Sequence, residues 1–157
     1  MSVAFRRESD EEHKEPRFEL PLPAGPNMVT ARGLALIEAK VAELEAAVAA
    51  ENAEEPRELL RRELRYWNTR RTTAQIAPPP EEGVVGIGAR VTIKLAGKER
   101  VLDIVGHDEA DPTADRIAFS APLARALIGA EAGERVDFAG KAEAIEILSV
   151  EAALGED

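Results

Sequence analysis

An α+β fold is predicted for this chain: an N-terminal antiparallel helical hairpin, followed by a C-terminal antiparallel β domain with one helix. Three observations predict it. Apolar residues recur at spacings of three and four from Leu34 to Val48 and again from Leu60, a triple proline (Pro78 to Pro80) then interrupts the chain, and beyond it the apolar period drops toward two. The boundaries that follow are an N-terminal arm over 1–27, the hairpin over 28–77, a proline-rich hinge over 78–82 and the closing domain over 83–152.

Each element has its own cause. The arm, "MSVAFRRESDEEHKEPRFELPLPAGPN", mixes six acids and four bases with four prolines. Such a composition buries too little apolar surface to offset the entropy of ordering, so the arm is expected to be disordered, and docking of Phe5, Phe18 and Leu20 on a partner ranks behind a free arm. Leu34, Ile37, Val41, Leu44 and Val48 make the first heptad seam, and Leu60, Leu64, Trp67, Arg71 and Ala74 the second. Between them, "ENAEEP" offers Asn52 as a left-handed helix stop and Pro56 as a first-turn residue. Residues 30–55 hold six acids against two bases, and residues 56–75 hold six arginines against two acids. Those arginines pair across the hairpin or make a solvated face on one reading. On the other, Arg57, Arg61, Arg62 and Arg65 form a basic strip that meets RNA, DNA or an acidic protein groove. Trp67 beside Tyr66 is assigned to seam packing ahead of base stacking.

Past the hinge, "VVGIGARVTIKL" and "ERVLDIVG" are predicted strands around the turn "AGKE", and "RIAFS" is a further short strand. "PLARALIG" is an amphipathic helix stopped at Gly129, and "ERVDFAG" and "AEAIEILSV" close the sheet.

Composition removes several function classes. Cysteine is absent, which excludes thiol catalysis, disulfides and thiolate metal sites. A formal net charge of −10 opposes adhesion to bulk nucleic acid. The first 27 residues are charged throughout and lack a signal-peptide core, and no later stretch approaches membrane-spanning length, so a cytoplasmic protein without a membrane partner is expected. The tetrapeptide Asp108 to Asp111 in "IVGHDEADP" spells a helicase motif. ATP hydrolysis by such a motif needs a phosphate-cradling G-x-x-x-x-G-K-[ST] loop, and the nearest glycines, Gly83, Gly86 and Gly88, stand in an apolar run without a lysine. A calcium loop is disfavoured as well, because the turn glycine and terminal glutamate of an EF-hand are missing. Asp108 and Asp111 suit a turn before Pro112.

The segments "VVGIGARVTI", "IVGHDEADP", "IAFSAPLARALIGAEAGERV" and "AIEILSV" stand in the order and spacing of the carboxy-terminal domain of the GreA/GreB transcript cleavage factors. "NMVTARGLALIEAKVAEL" resembles the "T-x-x-G-x-x-x-L" start of that family's coiled coil. The resemblance implies an FKBP-like domain docked on the rim of the RNA polymerase secondary channel, with the hairpin directed down the channel. It implies a docking loop containing Asp108, Glu109 and Asp111, adjoined by Ser120 and Pro122 of "SAP". In such factors, carboxylates at the hairpin tip help hold a magnesium ion at the polymerase's own active site. Here the tip string "ENAE" resembles the family's "D-x-x-E-N-A-E", but Val48 stands where the leading aspartate belongs. Glu51, Glu54 and Glu55 remain as tip carboxylates. Each arm is also shorter than in the family by roughly a dozen residues, which withdraws the tip by about 18 Å. In this shortness the chain is similar to the Rnk-like variants of the family.

A GreA/GreB-family elongation factor is therefore expected: a monomer that binds RNA polymerase and regulates elongation without being an enzyme, with contact to nascent RNA or DNA inside the polymerase complex through the basic strip. Neither a cofactor nor a metal site of its own is expected. The alternative is stimulation of polymerase-borne cleavage of backtracked RNA through Glu51, Glu54 and Glu55. A peptidyl-prolyl isomerase reading ranks third, since the closing domain offers only Phe119 and Phe138 to line such a pocket.

Overall fold

The computed structural model describes residues 19–153. The first two-thirds of the expected arm, with Phe5 and Phe18, lies outside the described residues. In chain order the elements are β1 (Met28–Val29), α1 (Ala31–Ala50), α2 (Glu54–Thr73), β2 (Gln75–Ile76), β3 (Ala89–Leu95), β4 (Lys98–Val105), β5 (Arg116–Ala118), α3 (Pro122–Leu127), β6 (Arg135–Phe138) and β7 (Lys141–Ala152). Among the described residues two compact units result, one holding Glu38–Thr72 with residues 19–25, the other Pro26–Ile37 with residues 73–153.

The helical unit follows from helix-forming composition and one buried stripe. Alanine, leucine and glutamate dominate α1, and Val41 and Leu44 of the predicted seam are buried while Val48 is half-buried. In α2, Leu60, Leu64 and Trp67 are half-buried, with the Trp67 ring edge-on to Tyr66 at 5.1 Å. The predicted seam then departs from the structure. Arg71 is exposed and Arg70 is the buried residue, its guanidinium 6.0 Å from the Tyr66 ring centroid. A step of three from Trp67, instead of four, puts Arg70 on the inner face of α2, beside the Tyr66 ring.

The turn between the helices also differs from expectation. Asn52 has no left-handed backbone; the residues with positive φ outside glycine are Ala96, Asp115, Ala139 and Glu143. Arg57 does the capping instead, donating from Nε and Nη2 to the Glu51 carbonyl at 2.9 and 2.6 Å, while the Glu51 carboxylate accepts from the Ala53 amide at 3.1 Å. The carbonyl of Glu51, the residue that follows the last of α1, is thus satisfied by a cation, and a left-handed residue is not needed. Pro56 falls in the first turn of α2, as expected.

In the second unit, β1 and β2 pair in parallel, Met28 with Gln75 and Val29 with Ile76. Asn27, at the end of the expected arm, is buried and donates from Nδ2 to the Thr73 hydroxyl at 3.1 Å. The main sheet runs in the order β5-β4-β3-β7-β6. Its pairs are antiparallel except β4–β5, which is parallel, so the predicted antiparallel sheet is in fact mixed at one edge. The cause is the connection 106–115, whose two 3-10 turns carry the chain back to re-enter in the direction of β4. Alternation along β3 and β7 places Val91, Ile93, Ile145 and Ile147 on one face, where Leu102, Ile104 and the α3 residues Ala124 and Leu127 complete a core with no measurable exposure. On the other face, Arg90 and Asp103, register partners on β3 and β4, form a two-point pair at 2.7 and 3.0 Å.

Ile147→Ala and Leu44→Ala are each expected to lower stability by about 2–5 kcal/mol through lost transfer energy and the cavity left behind. Leu64→Ala, at a half-buried position, is expected to cost less than about 2 kcal/mol. Urea denaturation followed by far-ultraviolet circular dichroism checks the ranking, and a Leu64 loss equal to that of Leu44 would contradict it.

Candidate interaction site

The loop between β4 and α3 carries the predicted docking residues, and its geometry begins at Gly106. β1 passes so close that a Cβ on Gly106 would lie 2.5 Å from the Met28 carbonyl oxygen. Only a glycine lets β4 leave the sheet here. A 3-10 turn over His107–Glu109 follows and points three successive side chains in different directions.

Glu109 turns inward, and this corrects its expected place as an outward docking carboxylate. The residue is buried, and its Oε1 accepts from the Thr30 hydroxyl at 2.6 Å, with the Arg32 guanidinium 3.5 Å from Oε2. Thr30 is meanwhile the N-cap of α1: its Oγ1 accepts from the Gly33 amide at 2.9 Å. Gly33 completes the arrangement, because a Cβ there would stand 2.9 Å from Glu109 Oε1. One hydroxyl therefore caps a helix and ties a loop to it. Thr30, Arg32, Gly33 and Gly106 were not among the predicted site residues, although the "T-x-x-G" string had marked two of them as a helix start.

Asp111 builds its own turn. Its carboxylate accepts from the Thr113 hydroxyl at 2.7 Å and the Thr113 amide at 3.1 Å, and its backbone bridges to Arg116 in both directions. Those two Thr113 donors, hydroxyl first, hold the Asp111 carboxyl below its ordinary pKa, with Arg116 adding a smaller contribution.

The remaining predicted residues lie on the 3-10 turn and at the start of α3. Ser120 and Pro122 are exposed, and Asp108 is half-buried on the 3-10 turn. His107, which sequence reasoning did not single out, joins the two sides: its Nε2 lies 2.6 Å from Ser120 Oγ and its ring 5.0 Å from that of Phe119. Pro122 opens α3 at its first turn. The loop thus joins His107 to Ser120, with Pro122 exposed at the start of α3, while Asp108 is half-buried on the 3-10 turn and Glu109 faces the cap of α1.

At the hairpin tip the carboxylates are dispersed. Glu51 is spent on the turn as described, Glu54 lies 3.6 Å from Arg61, and Glu55 is exposed on the outer side of α2. Of the basic strip, Arg57 caps α1, Arg61 also reaches Glu58 at 3.6 Å, and Arg65 pairs with Glu19 at 2.8 Å and Glu58 at 3.3 Å. Arg62 lines an open groove with Glu55, Pro56, Glu58 and Leu59. Among the described residues, no group of three or more His, Asp or Glu is placed to hold a metal ion, and no helix is long and apolar enough to cross a membrane.

A five-stranded sheet closed by one short helix, carrying the predicted docking residues on the β4–α3 loop and preceded by a helical hairpin, defines the class of α+β domain expected from the sequence. Residues 79–152 match the family model described as "Transcription elongation factor, GreA/GreB, C-term", and the domain they build belongs to the GreA/GreB family. The transcription elongation factor GreA of Allorhizobium ampelinum is 43% identical over 65 residues, which cover 38% of this chain and 41% of that protein. GreA of Thermomicrobium roseum is 45% identical over 56 residues, 36% of each chain. The chain therefore covers less than half the length of these relatives. The solved GreA/GreB factor from Nitrosomonas europaea superposes with a TM-score of 0.39 at 18% identity, over 82% of this chain and 99% of that one, a likeness too low to bear on function.

Two predictions arise from the loop. Replacing a helical glycine by alanine ordinarily stabilises by about 0.5–1 kcal/mol, but Gly33→Ala is expected to destabilise by about 1 kcal/mol, because the displaced Glu109 carboxylate loses Thr30 in a buried site. In a Glu109→Ala background the same change is expected to be neutral or stabilising, and a double-mutant cycle by chemical denaturation reads the difference. An additive cycle would remove the steric and hydrogen-bond account.

Asp111 supplies a pH test. Because its folded pKa is depressed, its contribution is present above the unfolded carboxylate value and is lost as pH falls through the folded one. Thr113→Ala removes the leading donor, so the Asp111 titration followed by nuclear magnetic resonance is expected to move upward toward an ordinary aspartate.

Proposed function

We propose that this chain is a GreA/GreB-family transcription elongation factor that binds RNA polymerase at the rim of the secondary channel and regulates elongation. The observation that carries the proposal is the family domain over 79–152, whose β4–α3 connection carries Asp108 and exposes Ser120 and Pro122, with His107 2.6 Å from Ser120. The factor has no hydrolytic activity of its own; any catalysis would belong to the polymerase.

Efficient stimulation of transcript cleavage is not part of this function. Each hairpin helix has 20 residues, about 30 Å at 1.5 Å per residue. Val48 occupies the place of the family's leading tip aspartate, and the Glu51 carboxylate is turned onto the Ala53 amide. A carboxylate acts on a metal only within about 2 to 2.6 Å, so a withdrawn tip without the acidic pair leaves channel occupancy as the mode of action. Localisation in the cytoplasm follows from a polymerase partner. The basic strip is the surface left for contact with nascent RNA or DNA, and the monomer is the functional form.

Equilibrium binding to purified bacterial RNA polymerase, paired with a backtracked-complex cleavage assay, tests this. Asp108→Lys with Pro122→Ala is expected to weaken binding by about tenfold or more while leaving the thermal midpoint nearly unchanged, as surface substitutions usually do. Glu51→Ala, Glu54→Ala and Glu55→Ala combined are expected to leave binding intact. Unaltered affinity in the loop variant would remove the docking assignment. Magnesium-dependent cleavage stimulated by the wild type and lost in the triple variant would establish the cleavage reading in its place.

A further inference from the structure

The second unit carries an open groove that the β4–α3 loop does not use. The chain from Ile76 to Val84 lines it, together with the paired ends of β3 and β7 at Ala89 and Ala152. Its volume is about 610 Å³, within the range of roughly 300–1,000 Å³ typical of ligand sites. One wall is fixed before any ligand arrives. Pro78, Pro79 and Pro80 lock their own backbone, and Pro80 lies so close to Gly86 that a Cβ there would stand 3.1 Å from the Pro80 Cβ. A wall already in place costs no ordering entropy on binding.

The backbone beside the groove is an incomplete sheet. Gln75 and Ala77 donate their amides to the Asn27 and Val29 carbonyls, both at 2.9 Å, and alternation along the strand then turns the Ile76 N–H and C=O away from β1. Among the described residues β2 has no strand on that side. The Ile76 side chain is 57% exposed. An exposed apolar residue at a free edge next to a groove is the arrangement that an added strand completes.

Charge selects the partner. Glu81, Glu82 and Glu151 are exposed lining residues, and no Lys, Arg or His lines the groove. Arg90, the register partner of Glu151, is tied to Asp103 at 2.7 Å. The local field therefore draws cations and repels polyanions. That opposes nucleic acid as the occupant, and the net charge of −10 opposes a second copy of the chain.

We propose that this groove binds an extended cationic segment of a partner protein, added as a strand beside Ile76, with its apolar side chains on Ile87, Val150 and the prolines and its Lys or Arg side chains on Glu81, Glu82 and Glu151. None of Asp108, Ser120 and Pro122 lines the groove, so the proposal does not rest on the polymerase reading.

A fluorescent, end-blocked peptide of alternating valine and lysine is the probe, titrated into the full-length protein by anisotropy and followed by amide resonances. Saturable binding is expected, with shifts centred on Ile76, Ile87 and Glu151. Ile76→Ser, and separately Glu81→Gln, Glu82→Gln and Glu151→Gln combined, are each expected to weaken it about tenfold without moving the thermal midpoint, since all four residues are exposed. A peptide with serine in place of valine is expected to lose a similar factor, and Asp108→Lys to change nothing. Equal affinity for the serine peptide, or for either groove variant, would mean general adhesion to an acidic surface and overturn the proposal. A dimer in sedimentation that Ile76→Ser dissolves would assign the groove to a second copy and overturn it equally.

Discussion

The second unit depends on the threefold meeting of Thr30, Gly33 and Glu109. Thr30 Oγ1 is asked for two bonds at once, one accepted from the Gly33 amide at 2.9 Å and one donated to Glu109 at 2.6 Å. A hydroxyl is the smallest group that can do both. A carboxyl cap at this position would accept from the amide but repel Glu109, and an alanine would do neither. Gly33 then follows by exclusion, because any Cβ would enter the space of the carboxylate. A helix former is sacrificed in the first turn of α1, and the helix-propensity penalty of about 1 kcal/mol is offset by satisfying a buried charge that would otherwise be far more costly to hold.

That arrangement explains how "DEADP" divides its carboxylates. A 3-10 turn advances about 120° per residue, so adjacent side chains cannot share a face. Glu109 faces the cap of α1 and Asp111 its own turn through Thr113, while Asp108 is half-buried on the first 3-10 turn. Glu109 and Asp111 thus have separate partners, and among the described residues no group of acids is placed to share a metal. The motif that would hold magnesium in a helicase is here a folding device.

Much of the fold was legible because periodicity is set by backbone geometry, and apolar residues report it directly. Ile37, Val41 and Leu44 are buried as their spacing required, and so are Val91, Ile93, Ile145 and Ile147. What was not legible has physical reasons. The Glu51 carbonyl is closed by the Arg57 side chain from six positions on, a cap that no turn residue signals, so the left-handed stop expected at Asn52 does not form. Arg70 is buried and Arg71 exposed, the Arg70 guanidinium lying near the Tyr66 ring, a cation–aromatic contact invisible to a count of hydrophobic letters. The inward turn of Glu109 depends on a partner 79 positions away, and the parallel β4–β5 pair depends on a loop whose direction only the folded chain sets. His107 escaped notice because a lone histidine carries no pattern; its role exists only once Ser120 and Phe119 are beside it.

The distribution of charge gives the molecule its remaining logic. A net charge of −10 opposes approach to nucleic acid over the whole surface, and within a Debye length of about 8 Å at physiological ionic strength only local groups count. On α2, Arg61 and Arg65, 41% and 48% exposed, are met by Glu54, Glu58 and Glu19, carboxylates that are all more than half exposed, so the pairs are exchangeable. Arg57 differs, because its guanidinium closes the turn that joins the helices and its loss would free a helix-terminal carbonyl. The strip thus contains one structural arginine at the tip and exchangeable ones along the arm. Any anionic partner must displace carboxylates that cost little to displace, and it gains affinity only by presenting several charges at the helical spacing.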